Sequence, residues 1–180
     1  MTFLKIKINN MTQIDAYSTH LEYLQGIFNS KGRLKNVVEF GMGNYSTGLL
    51  IKNADNVISI EMQSDEWYEK MVENFRDEKS WTHHKLIGPF EFTKIKYPDR
   101  IDLSFVDGHG DSRPECINYL MDKNCPIIVS HDTEEPGYRW GKVNNNISYK
   151  RIDFKKHTNW TSLWTTDDDL YNYFISKNIK

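Results

Sequence analysis

The side chains able to do chemistry fall into four short clusters: Glu39-Phe40-Gly41-Met42-Gly43, Glu61, Asp107-Gly108-His109-Gly110-Asp111 and His131-Asp132. Imidazole titrates near neutral pH, so His109 and His131, both beside aspartates, are candidates to take a proton from a nucleophile, with Asp107 or Asp132 orienting the ring. A glycine on each side gives the His109 loop freedom to swing over a reacting group, which makes His109 the first choice. His131 ends an apolar run and is better suited to positioning. A divalent ion held by Asp107 and Asp132, with His131 beside them, is the alternative, since a cation also lowers a hydroxyl pKa; spacing alone leaves both open. His83 and His84 have no such acidic neighbours.

The elements that must position these residues follow from the apolar patterning. Val37 to Phe40 run straight into Gly41 and Gly43, as a buried strand does when it ends in a glycine turn, and Ser46-Thr47 mark the helix that the turn opens. This helix, predicted over Ser46 to Lys52, leads to a second strand, Val57 to Glu61. Glu61 lies eighteen residues beyond Gly43, where a strand-end carboxylate accepts both hydroxyls of a ribose and repels a ribose phosphate. Ser64-Asp65 start a further helix with Trp67, Met71 and Phe75 on its buried stripe. His83 to Ile87, Ile101 to Val106 and Pro126 to Ser130 read as strands three to five, and Pro114 opens the helix between the last two. Ile147 to Phe154 and Trp160 to Trp164 read as a closing hairpin, followed by a helix capped by Thr166 and Asp167 and buried through Leu170, Tyr171, Phe174 and Ile175. Ahead of all this, Thr19-His20-Leu21-Glu22 has the form of a capping box for a helix to about Phe28, predicted to cover one sheet edge; Thr19 and His20 are also candidates to border the pocket, although capping accounts for the threonine. Strands alternating with helices imply an α/β fold: a Rossmann-like doubly wound sheet of seven strands, mostly parallel, with a C-terminal antiparallel hairpin. Every polar cluster then stands at the carboxyl end of a strand, where such sheets bind ligands.

A chain of 180 residues suits one domain, read as an N-terminal helical cover over 1–34, a core over 35–132, and an acceptor loop, hairpin and helix over 133–180. With 38% hydrophobic and 27% charged residues, and no apolar run long enough to span a bilayer, a membrane protein is excluded. A net charge of -2 disfavours a nucleic-acid partner. Cys116 and Cys125 form neither a CxxC pair nor a zinc set and are read as reduced. Met1 to Asn10 is too polar for a signal-peptide core, which points to the cytoplasm. Oligomeric state is not readable.

Taken together, Glu39-Phe40-Gly41-Met42-Gly43, Glu61 and Phe105-Val106-Asp107-Gly108 resemble the first, acidic and fourth-strand motifs of class I S-adenosylmethionine-dependent methyltransferases, over roughly Val37 to Asp132. The resemblance implies S-adenosylmethionine as cofactor, with Glu39, Gly41, Gly43 and Ser46 near its methionine end, Glu61 on the ribose and Asp107 near the sulfonium. A nicotinamide site fits less well, because Ser46 stands where its third glycine or alanine belongs, and no Gly-Lys-Ser/Thr follows the turn as in a Walker loop. A narrower similarity, carried by Asp107-Gly108, Arg113 and Val129-Ser130-His131-Asp132-Thr133-Glu134-Glu135-Pro136, is to methyltransferases of polysaccharide biosynthesis and implies a sugar or glycan hydroxyl as acceptor. Glu135 departs from that pattern, where a basic residue is common. Catechol-type enzymes use an aspartate after the fourth strand and a pair after the fifth; here the pair is His131-Asp132. A phenol or other small-molecule acceptor, or a noncatalytic nucleotide-binding module, is the alternative reading. Trp81, Trp140, Trp160 and Trp164 read as core before sugar-stacking surface.

Overall fold

The computed structural model describes residues 18–177; Met1 to Asn10, read above for a leader, lie outside them. Seven strands form one sheet: β1 (Leu34–Phe40), β2 (Ala54–Glu61), β3 (Trp81–Lys85), β4 (Leu103–Val106), β5 (Ile127–His131), β6 (Lys150–Phe154) and β7 (Thr161–Thr165). Their order is β3-β2-β1-β4-β5-β7-β6, with β1 to β5 parallel and β7 antiparallel to both neighbours. This is the predicted architecture.

Among the described residues five α-helices accompany the sheet: α1 (Leu21–Lys31), α2 (Ser46–Asn53), α3 (Asp65–Phe75), α4 (Arg113–Asp122) and α5 (Asp168–Ser176). Right-handed crossovers send α2 and α3 to one face and α4 to the other. On the first face Leu24, Leu50, Met71 and Phe174 close a core over Val37 and Phe105. On the second, Ile117, Leu120 and Phe92 cover Val38, Phe40 and Ile128. Both faces of the central strands are therefore dry, which is why they read as continuous apolar runs.

Local departures from the sequence reading have physical causes. The capping box does not form: His20 is the N-cap of α1 without a side-chain cap bond, and the Thr19 hydroxyl bonds His131 and Asn159 instead. Glu22 bonds Lys156 and His157 in the hairpin loop. A tertiary partner outcompetes the local one at both positions. Helix α1 lies on a face, not an edge, with Gly26 against the Phe174 ring of α5. It ends at Gly32, whose positive φ of 74° lets its N–H bond the Phe28 carbonyl. Asp167, rather than Thr166, caps α5 through the Leu170 amide, and Ile175 is exposed. Cys116 and Cys125 are free and buried. Among the described residues no helix is long and apolar enough to cross a membrane.

Strand register levels the site. Phe40 pairs with Ile60 and with Val106, and Val106 pairs with Ser130. The next residues along, Gly41, Glu61, Asp107 and His131, therefore emerge on one rung of the sheet.

Candidate active site

Above that rung lies a cavity of about 590 Å³, within the size range of small-molecule sites. Its wall includes Gly41, Gly43, Ser46, Glu61, Asp107, His131 and Asp132 from the sequence-predicted set. Glu39 and His109 are not on that wall.

Glu39 is the hub beneath the turn. Its buried carboxylate accepts hydroxyl bonds from Ser46 (2.6 Å), Thr47 (2.8 Å) and Ser59 (2.6 Å), so β1, α2 and β2 are joined at one point. Burial pushes its pKa up to about 7, against the three hydroxyl bonds, with the Asp107 charge adding to the rise. Ser46 reaches the cavity but gives its hydroxyl proton to Glu39. Gly41 has φ 91°, and a Cβ there would meet the Asp107 backbone at 2.6 Å. The turn after β1 and the loop after β4 thus touch backbone to backbone, an approach only glycine permits.

Glu61 is 3% exposed and fixed by four amides. One oxygen accepts from Met62, Gln63 and Ser64; the other accepts from Met42 at 3.3 Å. It is an oriented anion on the cavity wall with acceptor capacity left on the second oxygen. Trp67 joins it there: its indole N–H bonds the Met42 carbonyl (2.6 Å), and its ring lines the cavity. Sequence reasoning placed Trp67 on a buried stripe and missed this role, because a stripe residue near a helix start reaches the sheet's end as well as its face.

At the other end Arg113 ties the loops together. Its guanidinium donates to the carbonyls of Gly108, His131 and Asp107 and pairs with the carboxylates of Asp107 (3.0 Å) and Asp132 (3.4 Å). Tyr138, from the loop after β5, lays its ring against that guanidinium at 4.5 Å and closes this side of the cavity. Asp132 sits in left-handed backbone, φ 54°, and also accepts from Asn159 (2.7 Å).

His131 is 3% exposed, with Nδ1 3.5 Å from Asp107 and 3.4 Å from Asp132, and Nε2 2.8 Å from the Thr19 hydroxyl. Burial opposes its charged form, but the hydrogen bond and charge of Asp107, with the charge of Asp132, outweigh burial and raise its pKa. Asp107 shifts the other way: burial raises it, and His131, Arg113 and His20 together bring it below the ordinary carboxylate value. His20, 2% exposed and beside the His131 ring at 4.8 Å, completes this wall. His109, the first choice from sequence, instead starts the turn into α4, where its carbonyl accepts from Ser112. The flanking glycines serve other ends: Gly108 packs on the Phe40 backbone and Gly110 under the Tyr138 ring. Among the tryptophans named above, Trp81 and Trp164 are core, and none of the four lines the cavity.

No protein-family profile and no curated protein matches the chain. Solved structures do. The fold is similar to that of cofactor-bound Rv0187 from MTB, with a TM-score of 0.67 and 12% identity over 84% of this chain and 82% of that one. It is similar to the O-methyltransferase TomG from Streptomyces achromogenes, involved in tomaymycin synthesis and solved with SAM (TM-score 0.59, 15% identity, 84% and 88% of the two chains). An O-methyltransferase from Bacillus cereus, solved with SAH, has a TM-score of 0.60 and 16% identity over 84% and 83%. At these identities the likeness establishes the fold.

Proposed function

We propose that the chain is an S-adenosylmethionine-dependent O-methyltransferase whose acceptor is a hydroxyl of a sugar or glycan. The observation that carries this reading is the shared rung: Gly41, Glu61, Asp107 and His131 converge on one cavity. The residues fit the cofactor. Glu61 offers a fixed carboxylate for ribose hydroxyls, the Trp67 ring offers a flat face beside it, and the Gly41–Gly43 backbone borders the methionine end.

S-adenosylmethionine supplies a methyl group made electrophilic by its sulfonium. The acceptor oxygen bonds the methyl carbon as the carbon–sulfur bond breaks with its electron pair going to sulfur, and the hydroxyl proton leaves. Asp107, kept ionised by His131 and Arg113 against its burial, places a negative charge beside the sulfonium end. Proton removal belongs to the ends of β4 and β5, where Asp107, His131 and Asp132 face one another; His109 stands off the cavity wall. A polyhydroxylated acceptor is supported by the narrower sequence resemblance and by the polar wall of Asp132 and Tyr138 opposite Glu61.

The test is transfer of a labelled methyl from S-adenosylmethionine to a panel of glycans, phenols and amines. Label in a glycan or sugar hydroxyl is expected. His131→Ala lowers the rate by about a hundredfold or more, the usual scale for losing proton-transfer assistance, and His109→Ala changes it little. Label confined to amines, or a His109 variant as impaired as the His131 variant, contradicts the reading.

A further inference from the structure

We propose that His20, Asp107 and His131 form a binding site for a divalent transition-metal ion. One ligand atom from each lies within 4.8 Å of the other two. Metal bonds of about 2.0–2.2 Å put neighbouring ligand atoms roughly 3–4 Å apart, so small side-chain rotations close this group onto one ion. The three come from distant points of the chain: the turn before α1, the loop after β4 and the end of β5. All three line the cavity, which leaves the remaining coordination positions facing its interior.

The hydrogen bonds around His131 prepare it as a ligand. Its Nε2 is bonded to the Thr19 hydroxyl, which also contacts the Asn159 carbonyl at 3.3 Å. Its Nδ1 faces the carboxylates of Asp107 and Asp132, 3.5 and 3.4 Å away. An ion on Nδ1 takes the place of a ring proton held toward these carboxylates; the N–H on Nε2 then donates to the Thr19 oxygen, as a metal-binding histidine characteristically donates its other ring N–H to an oxygen. The geometry also revises the ion site read from sequence. Asp132 is engaged by Asn159 and lies outside the group whose ligand atoms converge, and His20 takes its place. Two imidazoles and one carboxylate suit zinc, cobalt, nickel, manganese or iron(II) over magnesium or calcium, which prefer all-oxygen shells.

The role of the ion rests on the methyl-transfer reading. Held here, it would lower the pKa of an acceptor hydroxyl brought to the cavity, so that His131 and Asp107 would assist proton removal as its ligands rather than as bases, the proton passing to solvent as the oxygen attacks the methyl carbon.

The full chain, stripped with chelator, is titrated with Co²⁺ and followed by visible ligand-field absorption and calorimetry. One equivalent binds, zinc displaces it and magnesium does not. His20→Ala and His131→Ala each weaken binding by at least about a hundredfold, and Thr19→Val by about ten- to a hundredfold. Thermal melts, with His20→Gln as a second variant, identify folded proteins for comparison. No saturable Co²⁺ binding by folded wild type, or binding unchanged in folded His20 and His131 variants, overturns the site. The same stripped protein is titrated with S-adenosylhomocysteine. Binding there without Co²⁺ binding removes the metal alone; Co²⁺ binding without it keeps the site and removes the methyl-transfer role.

Discussion

Glu39 and Gly41 hold the first turn in opposite ways, and each gives a measurable signature. Folding raises the Glu39 pKa from 4.5 to about 7. The native state therefore binds its proton more tightly than the unfolded chain, and its stabilising contribution is complete below pH 4.5 and lost as pH rises through about 7. The full span is on the order of 3 kcal/mol at one kcal-scale step per pH unit. Denaturant melts across this window show the decline in wild type, and Glu39→Gln flattens it; an unchanged slope contradicts the assignment. Gly41→Ala forces a Cβ onto the Asp107 backbone in a left-handed conformation. A loss of about 2–4 kcal/mol is expected, read from the same melts. A near-neutral outcome removes the argument that the two loops meet there.

At the scale of elements, the proposed function makes the loop after β5 the part that chooses an acceptor. Tyr138 stands on Arg113 and over Gly110 without bonding to the cofactor end of the cavity. Tyr138→Ala raises the acceptor KM while leaving the KM for S-adenosylmethionine near its original value; equal rises in both contradict that division. Elements of this kind explain what was legible in the sequence. Strands buried on both faces announce themselves as apolar runs, so β1, β2, β4 and β5 were readable, with boundaries displaced by up to three residues. Ala54 to Asn56 extend β2 without an apolar signal, and Ile147, 94% exposed, stands before the hairpin instead of in it. Clusters at strand ends were readable for the same reason. What joins them was not: the Thr19–His131 bond spans 112 positions, and a local capping pattern concealed it. His20 was readable as a residue bordering the pocket, and it does line the cavity; Trp67 and Tyr138 carry no motif of their own, and His109 had the local features of a base in a loop whose glycines serve packing.

For the molecule as a whole, the sheet and its register do most of the functional work. Parallel pairing brings four strand ends level, and the order β3-β2-β1-β4-β5 puts β1 in the middle, where the chain crosses from one face to the other. On the proposed function, cofactor-side groups lie over β1 and β2 and acceptor-side groups over β4 and β5, with Gly41 against Asp107 as the seam between them. The arrangement matches the fold of the methyltransferase structures, and binding is the property closest to that geometry. The decisive measurement is calorimetric titration of the full chain with S-adenosylhomocysteine and, separately, with NAD. One equivalent of S-adenosylhomocysteine binds, Glu61→Ala weakens it, and NAD gives no saturable heat. Saturable NAD binding with none for S-adenosylhomocysteine, or an affinity indifferent to Glu61→Ala, contradicts the account.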